Sequence, residues 1–277
     1  MQIAFIAGMG HSGSTLLNIL LGQLKQTISV GEIDKIINPI TRETYLSRYI
    51  YQEKYPCSCG EPPSRCPYWS VFIESLLNNH DKPYNWHYLK AVEIAKDRFQ
   101  SAYFIDASKN IRALRRVCAA VAEGGESTEL FVLHLVKDAR NKAYSDLRST
   151  RLNSVLKSYK KWIAQNNALE KFIKDQNIPS LNIGYEELAI STSRVLADIS
   201  AFLGIPGEDA LKQMIPSGSH ILFGNNMRLN NRKSTTIEYD YGWLTSLKIP
   251  FLYSLYPGLH RKNIKWCYTH LNKHADR

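Results

Sequence analysis

The 277-residue sequence has no long apolar run: the longest, about Leu130–Val136, is far short of the ~20 residues that span a bilayer. Nor does it open on a basic segment. Strand-like Gln2–Ala7 begins almost at once, so neither a signal peptide nor a membrane span is expected. Basic residues never run longer than a pair, although Lys and Arg (35) outnumber Asp and Glu (25) for a formal net charge of +10. The excess suits an anionic partner or a soluble basic surface, while its dispersion argues against nucleic acid. Cysteine is scarce and odd in number: Cys57, Cys59 and Cys66 cluster, whereas Cys118 and Cys267 stand apart. That is not the even, regular pattern of a disulfide framework, and it points to a reducing, cytoplasmic setting. Repeats, Gly/Ser linkers and low-complexity tails are missing too. With 44% hydrophobic and 22% charged residues, disordered, collagenous and coiled-coil classes are excluded. A chain of this length buries enough surface to fold without a metal or disulfide staple.

What is present alternates. Gln2–Ala7, Ile28–Val30, Ala102–Asp106, Leu130–Val136 and Ser180–Ile183 read as strands, the apolar ones as buried parallel strands. Between and after them, Leu16–Leu24, Trp86–Gln100, Ile111–Glu123, 138–150, 152–176 and Thr192–Leu203 read as helices, the last closed by Gly204 and Pro206. Strands alternating with helices predict an α/β fold, a P-loop-like parallel sheet flanked by helices. One domain over residues 1–277 is expected, with an irregular, peripheral insertion at about 34–84 that holds the cysteine cluster. Beyond residue 206 the pattern loosens.

Gly8–Thr15 (GMGHSGST) lies between the first strand and its helix, and matches the phosphate-loop template except that Ser14 stands where a lysine is expected. Backbone N–H groups of such a loop and the helix N-terminus cradle an anion; a tight structural turn is the alternative. Nucleoside-triphosphate enzymes place that lysine on the β- and γ-phosphates and hold Mg²⁺ with an acidic residue after a later strand. Here the lysine is gone, and only Asp106 ends a strand as such an acid would. A shorter anionic group and no metal fit better.

Gly8–Leu17 resembles the 5′-phosphosulfate loop of sulfotransferases that use 3′-phosphoadenosine 5′-phosphosulfate (PAPS). Leu135–Ser145 (LVKDARNKAYS) resembles that family's 3′-phosphate motif, a basic residue at a strand end and a serine eight positions on, here Lys137 and Ser145. His220-x₃-Gly224-Asn-Asn-Met-Arg228 resembles a C-terminal signature of bacterial members. The resemblance implies that Gly10, His11, Ser12, Gly13, Ser14 and Thr15 hold the 5′-phosphosulfate. It also implies that Lys137 and Ser145 hold the 3′-phosphate, with Arg228 closing over it, and that the product is 3′,5′-ADP. Two positions depart from the family: His11 stands where Arg or Lys is common, and Lys137 where Arg is, keeping charge but losing the bidentate fork. Lys109, Arg140 and Arg148 are cations that would compensate.

Glu32, in Val30-Gly-Glu-Ile33, resembles by spacing the catalytic base of tyrosylprotein sulfotransferases; a solvated loop carboxylate is the other reading. Lys109, on the turn after the third strand, is placed to neutralise charge on the bridging oxygen as sulfuryl leaves, unless it is an ordinary surface lysine. His11 is a further catalytic candidate. Cys57-x-Cys59-x₆-Cys66 with His80 is a weak match to zinc spacing, so a local disulfide or packing is expected and no metal site. A similar C-x-C-G…C-P-x-W run accompanies bacterial sulfotransferases and adds to the resemblance. The reading is a PAPS-dependent sulfotransferase acting on a hydroxyl, amine or guanidine nitrogen of a small-molecule acceptor, as in secondary metabolism. Its overall likeness is to enzymes such as cyanobacterial saxitoxin-type N-sulfotransferases. The alternatives are a P-loop kinase using ATP and Mg²⁺, or a non-catalytic nucleic-acid binder.

Overall fold

The computed structural model describes residues 1–52, 55–125, 128–149, 154–205, 219–229, 237 and 239–270. Five strands, β1 (Gln2–Gly8), β2 (Thr27–Gly31), β3 (Tyr103–Lys109), β4 (Glu129–Val136) and β5 (Ser180–Gly184), form one parallel sheet in the order β2-β3-β1-β4-β5. The apolar runs of the sequence follow from burial on both faces, which parallel strands require. Ile3, Phe5 and Ala7 of β1 pack on one face, while Ala4 and Ile6 pack on the other.

The second face is covered by α1 (Ser14–Leu21), α9 (Tyr185–Ile190) and α10 (Thr192–Leu203). The first face carries α4 (Trp69–Asn78), α5 (Tyr84–Phe99), α6 (Ile111–Gly124) and the end of α8 (Val155–Asp175). A third apolar cluster joins α7 (Ala139–Arg148) and α8 to α11 (Lys248–Ser254) and α12 (Pro257–Cys267) through Trp162, Tyr159, Tyr253 and Trp266. The two C-terminal helices were not legible in the loosened pattern beyond residue 206; residues 230–233 of the 228–233 basic stretch lie outside the described residues.

The expected irregular, peripheral insertion is corrected. Residues 34–84 contain α2 (Asp34–Ile37), α3 (Pro39–Tyr45), a π turn at Leu46–Ile50 and α4, and they carry core. Trp69, Tyr68, Phe72, Cys57 and Cys66 are fully buried against the first face. Proline and tyrosine density disguised these short helices, of which α2 and α4 are held by their buried apolar residues more than by their own propensity. No described helix is long and apolar enough to cross a membrane.

Candidate functional site

In this strand order the chain places β2 and β3 on one side of β1 and then crosses to β4 on the other, so the carboxyl ends of β1 and β4 flank a topological switch point. Ligands of open α/β sheets bind there. The phosphate loop follows β1 and the Lys137 turn follows β4, side by side: Gly8 is in register with Leu135. A Cβ on Gly8 would lie 2.5 Å from the Leu135 carbonyl oxygen, so only glycine permits this approach.

Two positive-φ residues fold the loop, His11 (65°) and Gly13 (89°). A side chain at Gly13 would meet the Tyr185 ring at 2.2 Å, which adds a steric reason to the conformational one. Gly13 sits at the N-cap of α1, so the first N–H groups of that helix face the loop's interior. Ser12 is buried and its hydroxyl has no partner among the described residues. Ser14 is buried, His11 is exposed on the rim, and nothing crowds the Cα of Gly10. The loop thus sets a buried, unpartnered hydroxyl, that of Ser12, beside the N-terminus of α1.

Lys137 directly follows β4, with only 6% of its side chain exposed. Its ammonium donates to the Ser145 hydroxyl at 3.2 Å, about two turns along α7, and lies 4.7 Å from the Tyr185 ring centroid and 3.7 Å from Asp240. The structure thus brings together the two residues of the second motif. Burial pushes the Lys137 ammonium below its usual value, against the pull of Asp240 and Glu186. The turn beneath is fixed by Asp138, the N-cap of α7, which accepts from the Arg140 backbone, the Arg140 guanidinium, Asn263 and Tyr268. Arg140 also stacks on Trp243 and Tyr253 at 4.4 and 4.8 Å, so it is occupied in structure and does not compensate for other cations. Arg148 is exposed at the end of α7, over Tyr144.

Glu32 follows β2 and accepts from Lys109 at 2.7 Å and Lys35 at 2.9 Å, with 14% of its side chain exposed. Burial alone would raise the carboxyl; the two ammoniums outweigh it and hold the group below its ordinary value. Lys109 is at positive φ (67°), which turns it off the end of β3 toward Glu32. Lys35 was missed in the sequence, although its i+3 spacing from Glu32 is a readable helical pair. Asp106, by contrast, is sealed beneath the site. Burial pushes it up to about 7, and it accepts from the Ser108 hydroxyl and amide and from Tyr88.

The third motif closes over the first. Gly224 brings its Cα against Thr15 and Glu32, where a Cβ would sit 3.3 and 3.8 Å from their oxygens, and the Asn225 amide donates to the Thr15 hydroxyl at 3.4 Å. Arg228 lies in the other direction: it is buried, its Nε donates to the Leu222 carbonyl, and Tyr49, Tyr55 and Cys57 are the titratable groups around it. No contact joins it to Lys137 or Ser145 among the described residues. His80 is exposed in the turn beyond α4 and does not join the cysteines.

No family model matches the chain, and no curated protein matches it significantly. Solved structures do. The fold is similar to the sulfotransferase domain of the Synechococcus PCC 7002 olefin synthase, with a TM-score of 0.55 and 20% identity, covering 86% of this chain and 84% of that one. It is similar also to the sulfotransferase domain of the curacin biosynthetic pathway, with a TM-score of 0.55 and 17% identity over 92% and 96% of the two chains. The chain therefore shares the α/β fold of these two sulfotransferase domains.

Proposed function

We propose that this protein is a PAPS-dependent sulfotransferase acting on a small-molecule acceptor. The observation that carries the reading is the pairing of two anion-binding corners at one switch point, a lysine-free phosphate loop after β1 and a buried Lys137–Ser145 pair after β4. The residues fit the donor: the orphaned Ser12 hydroxyl and the amides of Gly10–Thr15 suit a 5′-phosphosulfate, and Lys137 with Ser145 suits a 3′-phosphate. PAPS supplies the transferable sulfuryl group when bound. Thr15 and Ser14, at the start of α1, orient the anion by donating hydroxyl hydrogens. Lys109, beside Glu32, is the cation available to the bridging oxygen.

Glu32 accepts the acceptor's proton at Oε1 or Oε2 and then releases it to solvent, a release favoured by the Lys109 and Lys35 ammoniums that hold its carboxyl below the ordinary value. Its lowered basicity makes it suited to a proton already made acidic by bond formation. Positioning and charge stabilisation do the remainder. Transfer to a hydroxyl or to an amine or guanidine nitrogen, as in secondary-metabolite tailoring, and a cytoplasmic setting are part of this proposal. Calorimetry with 3′,5′-ADP, 5′-AMP and ATP tests it: tighter binding of 3′,5′-ADP than of 5′-AMP is expected. Equal affinity for those two removes the 3′-phosphate assignment. ATP binding that depends on Mg²⁺ would favour a kinase instead.

A further inference from the structure

The three clustered cysteines are all free thiols, and a fourth group joins them from 154 residues away. The ligand atoms of Cys57, Cys59, Cys66 and His220 all lie within 4.8 Å of one another. The Cys59 and Cys66 sulfurs are 3.8 Å apart, and the Cys66 sulfur is 3.3 Å from Nδ1 of His220. A disulfide is excluded at 3.8 Å, since bonded sulfurs are about 2.05 Å apart. A tetrahedron with Zn–S of about 2.3 Å and Zn–N of about 2.0 Å has edges of about 3.8 and 3.5 Å, close to those observed. An iron–sulfur cluster holds its thiolates farther apart, around several metal atoms.

We propose that Cys57, Cys59, Cys66 and His220 form a structural zinc site. All four positions are filled by protein, leaving none open for water or substrate, as in structural rather than catalytic zinc sites.

The surrounding backbone is built to hold the four groups in place. Cys57-Ser-Cys59-Gly60 is a tight knuckle: the Gly60 amide donates to the Cys57 carbonyl at 2.9 Å, and Gly60 has φ 95°. Cys66 lies just before α4, with its amide on the Pro62 carbonyl. His220 is fixed at both backbone groups, its amide on the Ser29 carbonyl of β2 and its carbonyl on the Trp69 indole. Its ring packs between Tyr68 and Phe99.

Ser58, between the first two thiols, pairs with the same segment: its amide reaches the Ile221 carbonyl, and its hydroxyl bridges the Ser219 carbonyl and the Ile221 amide. The site thus stitches the 34–84 segment to residues 219–223. The next residue is Gly224, against Thr15 and Glu32. A metal there holds one wall of the proposed active site without touching the reaction, and the assignment stands whether or not the sulfotransferase reading does.

Purified full-length protein, expressed with zinc in the medium and never exposed to chelator, is expected to carry about one zinc per chain by elemental analysis. Replacing it with cobalt should give the intense visible bands of a tetrahedral thiolate site. Cys59→Ser should lower the metal content at least fivefold, Cys118→Ser should leave it unchanged, and Cys59→His should retain metal with an altered cobalt spectrum. Wild-type protein with substoichiometric zinc, no cobalt uptake and five freely titrating thiols would overturn the site, even if the variants fail to fold. So would a Cys59–Cys66 disulfide found by mass spectrometry, or bound iron in place of zinc.

Discussion

Glu32→Gln separates the two jobs the structure gives this carboxylate. As a proton acceptor it is irreplaceable by an amide, so turnover with a hydroxyl acceptor should fall ~10²–10⁴-fold. As the counter-charge of Lys109 and Lys35, at 2.7 and 2.9 Å, it also holds two mostly buried ammoniums. Glutamine keeps one acceptor oxygen but no charge, so a stability loss of about 1–3 kcal/mol is expected. For a chain of this size that lowers Tm by about 2–4 °C per kcal/mol. The two effects are separable because the double variant Glu32→Gln/Lys109→Met removes one stranded charge along with its partner. Its Tm should recover toward wild type while its turnover stays low, a coupling read directly from the double-mutant cycle.

The assay is release of 3′,5′-ADP from PAPS with a hydroxyl acceptor, well below the lowest Tm, alongside 3′,5′-ADP affinity by calorimetry, which should not change. The pH profile adds a check. Because the flanking lysines hold the carboxyl below 4.5, the acid limb of the rate should lie below that value rather than near neutrality. Wild-type turnover in Glu32→Gln would refute the base assignment and move the search to His11, since Asp106 is sealed beneath the site. An amine acceptor needs less help and would show a smaller loss.

Three further outcomes are expected. Lys137→Met should erase most of the preference for 3′,5′-ADP over 5′-AMP, about 1.5–3 kcal/mol for one charge-assisted contact, measured by calorimetry; an unchanged preference would remove Lys137 from the site. Gly13→Ala combines φ 89° with a clash against Tyr185, so it should abolish the thermal shift given by 3′,5′-ADP, whereas Gly10→Ala, with open space at its Cα, should retain it. Asp106 is pushed up to about 7 by burial, so the folded protein keeps a proton that the unfolded chain releases near 4; unfolding therefore releases that proton between those values, and the group's contribution to stability falls as pH rises. An amide can replace the protonated acid, accepting from Ser108 and donating to Tyr88, so the stability of wild type relative to Asp106→Asn should decline from pH 4 to 7 in urea titrations. A difference that does not vary with pH would refute the buried-acid assignment.

Which features were legible follows from how far apart in sequence their parts lie. The strands and Thr192–Leu203 were readable because burial on both faces, or on one helical stripe, writes a local pattern. The phosphate loop and the Lys137–Ser145 pair were readable because each is a contiguous stretch at a strand end, where the fold itself supplies the direction. The short helices of residues 34–84 left little periodicity, since α2 and the π turn bury two or three residues each and α3 buries none. Arg228 was placed by motif order alone, and order carries no information about which way a buried guanidinium turns.

The cysteine cluster shows the same limit most sharply. Three thiols within ten residues supply three corners of a tetrahedron, and local sequence suggests His80 for the fourth because it is near. Yet His80 lies exposed in the turn beyond α4 and is not among the groups that gather at the knuckle. His220 is delivered instead by the pairing of Ser219 with Ser29, an isolated bridge added beside β2 by a segment that returns across the sheet's carboxyl edge. That return also places Gly224 on Thr15 and Glu32. A single chain crossing therefore completes the thiol site and closes the phosphate loop, which gives the otherwise unconnected cysteine run and C-terminal signature one structural cause. If zinc occupies the tetrad, its loss should loosen Gly224 and Asn225 together with the knuckle. Hydrogen exchange would then report faster exchange at both segments on metal removal, and exchange confined to the knuckle would show that the crossing is held by Ser58 and Trp69 alone.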